Sequence, residues 1–184
     1  DKIIIKAREE SISYKELSNR YIQEYMRDMK SLNVLPAHQY PLATDAIPRI
    51  IEIVRELIAK GYAYANGGNV YFSVGEYRNY GQLSNRSLDD MIAGSRIEIS
   101  EEKQHPMDFA LWKASKPGEP SWVSPWGNGR PGWHIECTTI CLDNLGETID
   151  IHGGGVDLVF PHHENELAQS ESFTDKNPFV RFWV

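Results

Sequence analysis

The sequence predicts an α/β protein in which part of a parallel sheet carries a mixed α+β insertion. Over residues 133–184 the pattern alternates helix, short strand, glycine loop, helix and strand, which is typical of half of a parallel sheet. Upstream, Asn66-Gly67-Gly68-Asn69 separates two strand-like runs and indicates a β-hairpin. The 184 residues are 41% apolar and 11% aromatic, so the chain has enough large side chains for a core, which argues against intrinsic disorder.

Charge and cysteine content narrow the class of protein. The 19 Lys+Arg and 26 Asp+Glu give a net charge of −7, which argues against affinity for nucleic acid over the whole surface. The apolar runs are too short for a membrane helix, and Asp1 does not begin a signal peptide. Cys137 and Cys141 cannot form a disulfide framework. We therefore expect a cytoplasmic protein with no membrane partner.

Two amphipathic helices are predicted before residue 62. Ser13 and Glu16 form a capping box at the start of the first, whose apolar face is wide enough to pack on a core. That face consists of Leu17, Tyr21, Tyr25, Met29 and Leu32. Pro48 lies in the first turn of the second helix, and Gly61 provides its C-terminal cap. Its apolar stripe consists of Ile47, Ile50, Ile51, Val54, Leu57 and Ile58.

The centre of the chain is predicted to contain short strands and one long loop. The predicted elements are strands over 62–65, 70–74, 96–99 and 109–112 and a short helix over 87–93. The proline and glycine content of 116–132 excludes regular structure. Because Trp122, Trp126 and Trp133 lie in or beside this segment, we interpret it as an ordered loop that packs on a core or lines a pocket.

A glycine loop follows a predicted strand in the last third of the chain. The predicted elements there are helices over 135–145 and 161–172 and strands over 147–151 and 179–184. Gly153, Gly154 and Gly155 follow the first of these strands, at the position where open α/β sheets bind ligands. The glycines would let a ligand approach the backbone, and Asp157 would accept hydrogen bonds from a ribose. His152, at the end of the strand, is placed to contact the same ligand. The alternative interpretation of the three glycines is an ordinary tight turn.

Five residues form a cluster of potential metal ligands. They are Cys137, His162, His163, Glu164 and Glu166. On one helix, His162 and Glu166 share a face, whereas His163 points elsewhere. Thiolate, imidazole and carboxylate together suit zinc. A buried cysteine beside a polar surface helix explains the same residues equally well. Cys141 is interpreted as a small buried hydrophobe, and His134 and Glu136 as solvated polar residues.

Three longer motifs carry a family resemblance. They are Gly129-Arg-Pro-Gly-Trp-His-Ile-Glu-Cys137, Asp150-Ile-His-Gly-Gly-Gly-Val-Asp-Leu158 and Phe160-Pro-His-His-Glu-Asn-Glu166. Together with Pro106-Met-Asp-Phe-Ala-Leu-Trp-Lys113, they closely resemble cysteinyl-tRNA synthetase, a class I aminoacyl-tRNA synthetase. The resemblance covers essentially the whole chain. It implies a class I Rossmann-like catalytic domain, with the end of its first half over 1–35, a connective insertion over 36–115 and its second half over 116–184.

The resemblance also implies a zinc ion and a set of site residues. The family holds its zinc with two cysteines, a histidine and a glutamate, and Cys137, His162 and Glu166 match three of these. By the same resemblance, Trp133 and His152 contact the substrate. Four residues match the family's nucleotide-binding loop. They are Gly153, Gly154, Gly155 and Asp157.

The implied reaction is ATP-dependent activation of cysteine, with Mg²⁺, followed by transfer to tRNA(Cys) by a monomer. The HIGH and KMSKS segments, the second zinc cysteine and the anticodon-binding region have no match in this sequence. We therefore expect an internal fragment that contains no catalytic residue and is inactive alone. Two alternatives remain: the related ligase that joins cysteine to an amino sugar in mycothiol synthesis, and a non-catalytic zinc-binding module.

Overall fold

The computed structural model describes residues 2–88 and 102–184. The chain divides into two compact units, one that ends at Tyr40 and one from Pro41 to Val184. The predicted strand over 96–99 and most of the predicted helix over 87–93 lie outside the described residues. Within the described ranges, every helix is too short or too polar to cross a bilayer.

The first unit consists of helices α1 (Lys2–Glu9) and α2 (Tyr14–Ser31). The predicted cap of α2 is confirmed, because the Ser13 hydroxyl accepts the backbone N–H of Glu16 at 3.1 Å. Sequence patterning did not predict α1. Leu17 is fully buried, but much of the apolar face predicted for α2 is solvent-exposed. The exposed members are Tyr21, Tyr25 and Leu32. Two short helices form too small a unit to cover a face of that width.

The second unit contains three helices and six strands among its described residues. They are α3 (Ile47–Ala59), α4 (Trp133–Leu145), α5 (Glu164–Thr174), β1 (Ala63–Asn66), β2 (Asn69–Phe72), β3 (Phe109–Ala114), β4 (Gly129–Pro131), β5 (Ile149–His152) and β6 (Val180–Trp183). Strands β1 to β4 pair in chain order as an antiparallel sheet. Strands β5 and β6 form a parallel pair, as predicted. Short helical turns cover Val156–Leu158 and Val159–His163 between β5 and α5.

The predictions for α3 are confirmed, except that its buried face includes Ile53, which was not in the predicted stripe, while Ile51 and Ile58 are only partly buried. Pro48 lies in the first turn, and Gly61 follows the helix with φ +84°, a conformation that glycine adopts without strain. The buried face packs on the antiparallel sheet and extends to α4 and α5. Its members are Ile47, Ile50, Ile53, Val54 and Leu57. Helix α3 therefore connects the antiparallel sheet to the two helices that carry the candidate site.

The aromatic loop contains more regular structure than its composition predicts. Residues Gly129–Pro131 form β4 against β3, and Trp122 pairs with Gly129 as an isolated bridge. The exclusion of regular structure over 116–132 is therefore wrong. Glycine permits the pairing, because a Cβ on Gly129 would lie 2.2 Å from Trp112 Nε1. As predicted, the loop is packed on a core, where Trp122 and Trp126 contact the main hydrophobic cluster.

The predicted hairpin is confirmed, with Asn66 opposite Asn69. Gly67 and Gly68 have φ of +60° and +83°, the positive values that a two-residue turn of this hand requires. Replacing both glycines with valine is expected to lower the free energy of unfolding by about 2–4 kcal/mol, since β-branched residues resist positive φ. Thermal unfolding measures the loss. Asparagine at both positions is the control, since it tolerates this conformation, and an unchanged melting temperature in the valine variant would contradict the assignment.

Candidate metal centre

Helices α4 and α5 and the end of β5 converge on one cluster of polar side chains. Gly132 precedes α4 in an extended conformation, and a Cβ there would lie 1.9 Å from the carbonyl oxygen of Ala110. This close approach packs the start of α4 against β3. Cys137 lies in the second turn of α4 and faces α5, and His152 lies at the end of β5. The cluster is thus assembled from three elements that are distant in sequence.

Helix α5 is buried along most of its length although it is rich in polar residues. Its buried polar members are Glu164, Asn165, Glu166, Gln169, Ser170, Glu171 and Ser172. The interpretation of this segment as a polar surface helix is therefore wrong. Burying so many polar groups costs free energy unless each finds a partner or serves a ligand.

Three of these polar residues hold the loop that follows β2. Glu164 accepts the backbone N–H groups of Gly81 at 2.9 Å and Ser84 at 2.7 Å. Tyr80 donates its hydroxyl to Asn165 at 2.5 Å, and Tyr77 donates to Glu171 at the same distance. These bonds fix α5 against the loop that follows β2. Sequence reasoning grouped Glu164 with the potential metal ligands, but the structure uses both of its oxygens to bind this loop.

Cys137, His162 and Glu166 lie together, as the sequence predicted for a metal site. One ligand atom from each lies within 4.8 Å of the others. His162 and Glu166 are buried, and His162 Nε2 lies 2.8 Å from Glu166 Oε1. His163 points elsewhere, as predicted, and its ring lies 4.7 Å from His152 and 5.1 Å from Trp183.

A second group shares the same glutamate. Atoms of Cys141, His152 and Glu166 also lie within 4.8 Å of one another. His152 Nε2 lies 2.8 Å from Glu166 Oε2, and this hydrogen bond raises the pKa of His152 against the opposing effect of burial. Cys141 packs against the smaller core formed by β5, β6 and α5, as expected of a small buried hydrophobe. In this second group, the hydrogen bond from His152 already gives the carboxylate oxygen Oε2 of Glu166 a partner.

The two oxygens of Glu166 differ in a way that selects the first group for a metal. Oε1 is buried and has no hydrogen-bond partner among the described residues, because its contact with His162 lies outside hydrogen-bonding geometry. Burial also lowers the pKa of His162, which favours the neutral imidazole that binds metals. A cation would satisfy the unpaired oxygen and the imidazole lone pair together. The residues present therefore fit a metal ion.

The chemistry of the donors fits zinc among the common divalent ions. Burial raises the pKa of Cys137 to about 12, so this thiol keeps its proton unless a cation compensates the thiolate charge. Burial likewise raises the pKa of Cys141 to about 11. Sulfur, nitrogen and one carboxylate oxygen suit zinc, whereas magnesium and calcium prefer oxygen ligands alone.

His134 belongs to this cluster, although its sequence position suggested a solvated residue. Its Nδ1 lies 2.8 Å from Nδ1 of His162, and burial lowers its pKa to about 3. Trp133 stacks on the other side, with ring centroids 4.3 Å from His162, and is itself 57% exposed. The solvated interpretation of His134 is therefore wrong. Only its place three residues before Cys137, on the same helix face, could have indicated this role.

The glycine loop lies beside the cluster. Gly154 donates its N–H to the carbonyl oxygen of Val184 at 3.0 Å, so the loop is tied to the end of β6. A Cβ on Gly154 would lie 2.7 Å from the His163 ring, which requires glycine at this position. Asp157 is exposed in the helical turn that follows, where its carboxylate faces solvent.

The fold and the cluster define an α/β protein with a group of thiol, imidazole and carboxylate side chains that could hold a metal, beside a parallel strand pair. The family model for the tRNA synthetases class I (C) catalytic domain matches residues 1–184. The chain belongs to this family, and the resemblance inferred from its motifs is confirmed.

Curated relatives of this chain are longer proteins. The chain is 60% identical over its whole length to a Cysteine--tRNA ligase of Dehalococcoides mccartyi, of which it covers 40%. It is 56% identical over its whole length to the Cysteine--tRNA ligases of Aquifex aeolicus and Brevibacillus brevis, covering 37% and 39% of them. The chain thus spans about two fifths of the length of these curated relatives.

Proposed function

We propose that this chain is part of a cysteine–tRNA ligase. The reaction activates cysteine with ATP and Mg²⁺ to cysteinyl-adenylate, releases diphosphate, and transfers cysteine to the terminal adenosine of tRNA(Cys). The identity to Cysteine--tRNA ligases over the full chain supports this assignment. The observation that carries the chemical part is the buried group Cys137, His162 and Glu166, in which Glu166 Oε1 has no hydrogen-bond partner among the described residues.

Cys137, His162 and Glu166 would hold a zinc ion, with a further ligand from the rest of the protein. Zinc, when bound, supplies a Lewis acid that prefers the substrate thiolate to a hydroxyl. This preference answers a specificity problem, because serine is a near-isostere that pocket shape alone rejects poorly. The residues packed around these three ligands would exclude water and hold the ligands in place. This chain would therefore contribute to the recognition of cysteine rather than to the steps that form and break bonds.

The remaining site residues have roles that follow from their positions. Trp133, half exposed and stacked on His162, would form a wall of the cysteine pocket. His152, which is hydrogen-bonded to Glu166, would orient that carboxylate and lie near the substrate. Gly153, Gly154 and Gly155 would let the nucleotide approach the backbone at the end of β5, with Asp157 accepting hydrogen bonds from its ribose.

The parallel pair would be part of a larger Rossmann-like sheet completed by other parts of the protein. Large apolar side chains on and beside this pair are exposed within the chain, which supports a cover from outside it. They are Ile151, Phe182 and Val184. The division into 1–35, 36–115 and 116–184 stays a prediction, as do the monomeric state and the cytoplasmic location.

Asp157→Ala is expected to impair ATP use more than cysteine binding. Loss of a charge-assisted bond to a ribose hydroxyl should cost about 1.5–3 kcal/mol. Adenylation by the complete gene product, measured over a range of ATP and cysteine concentrations, separates the two effects. Asp143→Ala, another exposed carboxylate, is the matched control. An unchanged ATP Michaelis constant together with an unchanged adenylation rate would refute the role of Asp157.

The function itself is tested by exchange of diphosphate into ATP by the complete gene product. We expect exchange that depends on cysteine, is not supported by serine, and is lost on removal of zinc by a chelator. Incubation with tRNA(Cys) or with an amino sugar then identifies the acceptor. Transfer to the sugar would replace tRNA ligation with the mycothiol reaction, and zinc binding without any exchange would leave a non-catalytic module.

A further inference from the structure

The contact between His134 and His162 constrains the position of one proton. The two Nδ1 atoms are 2.8 Å apart, which is hydrogen-bonding distance. Two neutral imidazoles can make this contact only if one ring donates and the other accepts. Exactly one Nδ1 atom of the pair therefore carries hydrogen.

The opposite edge of the His162 ring decides which ring donates. His162 Nε2 lies 2.8 Å from Glu166 Oε1, one of the atoms that would bind the metal. A metal that binds at Nε2 uses the lone pair of this atom, so the hydrogen of the neutral ring is on Nδ1 when the metal is present. The proton of His162 is then on Nδ1 and is donated to His134 Nδ1.

We propose that His134 is a positioning residue, which accepts the Nδ1 proton of His162 and so leaves Nε2 of His162 free to bind the metal. This inference rests on the zinc site proposed above. Metal-binding histidines commonly donate their second ring N–H to a neighbouring acceptor, which sets the tautomer and the ring orientation. In this chain the acceptor is a second imidazole, supplied by the first turn of α4.

Aromatic neighbours hold both rings in this arrangement. His134 meets the ring of Phe109 edge-on, with centroids 5.7 Å apart and an interplanar angle of 87°. Trp133 stacks on His162 at 4.3 Å. Because Phe109 belongs to β3, the antiparallel sheet reaches the metal site through His134. The first turn of α4 thus supplies both Trp133, which stacks on the His162 ring, and His134, which forms the hydrogen bond with His162.

Two measurements on the complete gene product test the proposal. Long-range ¹⁵N–¹H correlation spectra of the zinc-bound protein report which nitrogen of His162 carries hydrogen, and we expect the proton on Nδ1. Zinc affinity from chelator competition is expected to fall about 10- to 100-fold in His134→Leu. His134→Asn should retain most of the affinity, because its side-chain oxygen can accept near the position of Nδ1. His38→Leu, an exposed histidine, is the control.

The outcomes separate this inference from the zinc site itself. A wild-type protein that binds no zinc would overturn both. Zinc binding by the wild type together with an Nε2 proton on zinc-bound His162 would overturn the role of His134 alone, even if His134→Leu does not fold. Equal zinc affinity in the wild type and a folded His134→Leu variant would do the same.

Discussion

Replacing Cys137 with serine is expected to weaken zinc binding more than about 100-fold, beyond the range of losses typical of residues that only orient ligands. A serine hydroxyl ionises far less readily than a thiol and offers a harder donor to zinc. The remaining ligands, which are His162, Glu166 and the further ligand from the rest of the protein, would hold the ion loosely. Discrimination between cysteine and serine should be lost with the metal.

Cys141→Ser is the matched control, since both thiols project from α4 one turn apart. The carboxylate beside Cys141 is that of Glu166, and its oxygen Oε2 already accepts a hydrogen bond from His152. No unpaired oxygen therefore faces Cys141. We expect zinc affinity to stay close to that of the wild type. Stability should fall by about 1 kcal/mol, because a hydroxyl replaces a thiol that packs against the smaller core.

Chelator competition on the complete gene product, with zinc content measured at equilibrium, distinguishes the two cysteines. Loss of the metal in Cys141→Ser with retention in Cys137→Ser would assign the ion to the group around His152 instead. Equal loss in both variants would indicate that both thiols bind the ion.

Replacing Glu164 with alanine is expected to lower the free energy of unfolding by about 3 kcal/mol. The substitution removes a fully buried acceptor of two backbone N–H groups, those of Gly81 and Ser84, of which the bond to Gly81 is buried and the bond to Ser84 partly buried. Leaving buried donors unpaired costs about 1–3 kcal/mol each. For a domain of this size, the melting temperature should fall by roughly 6–12 °C.

Denaturant unfolding measures the loss of stability in Glu164→Ala, and two further variants serve as comparisons. Glu164→Gln keeps one acceptor oxygen and should lose less than Glu164→Ala. Glu56→Ala removes an exposed glutamate from α3 and should leave stability nearly unchanged. If Glu164→Ala unfolds at the wild-type denaturant concentration, the loop after β2 does not depend on this carboxylate. Zinc affinity should also fall, because Glu164 lies two residues from Glu166 on α5.

Local patterns in the sequence were sufficient for most elements. The Ser13 cap, the α3 stripe with Gly61 after it, and the Gly67-Gly68 turn depend on nearest neighbours in the chain, and the structure confirms each. The motifs around Cys137 and Glu166 were long enough to predict the family. Because these features depend on interactions between residues that are near one another in the chain, the order of the residues predicts them directly.

Only the tertiary structure decided how the polar residues of the site are used. Composition suggests that α5 is a surface helix, yet contacts with α3, α4 and the loop after β2 bury it. From the sequence, His134 was interpreted as a solvated polar residue and Cys141 as a small buried hydrophobe. The structure joins His134 to His162 and places Cys141 beside a carboxylate oxygen that His152 already binds. The reason is physical: pairing of buried donors and acceptors depends on distances between elements far apart in sequence, which no local pattern specifies.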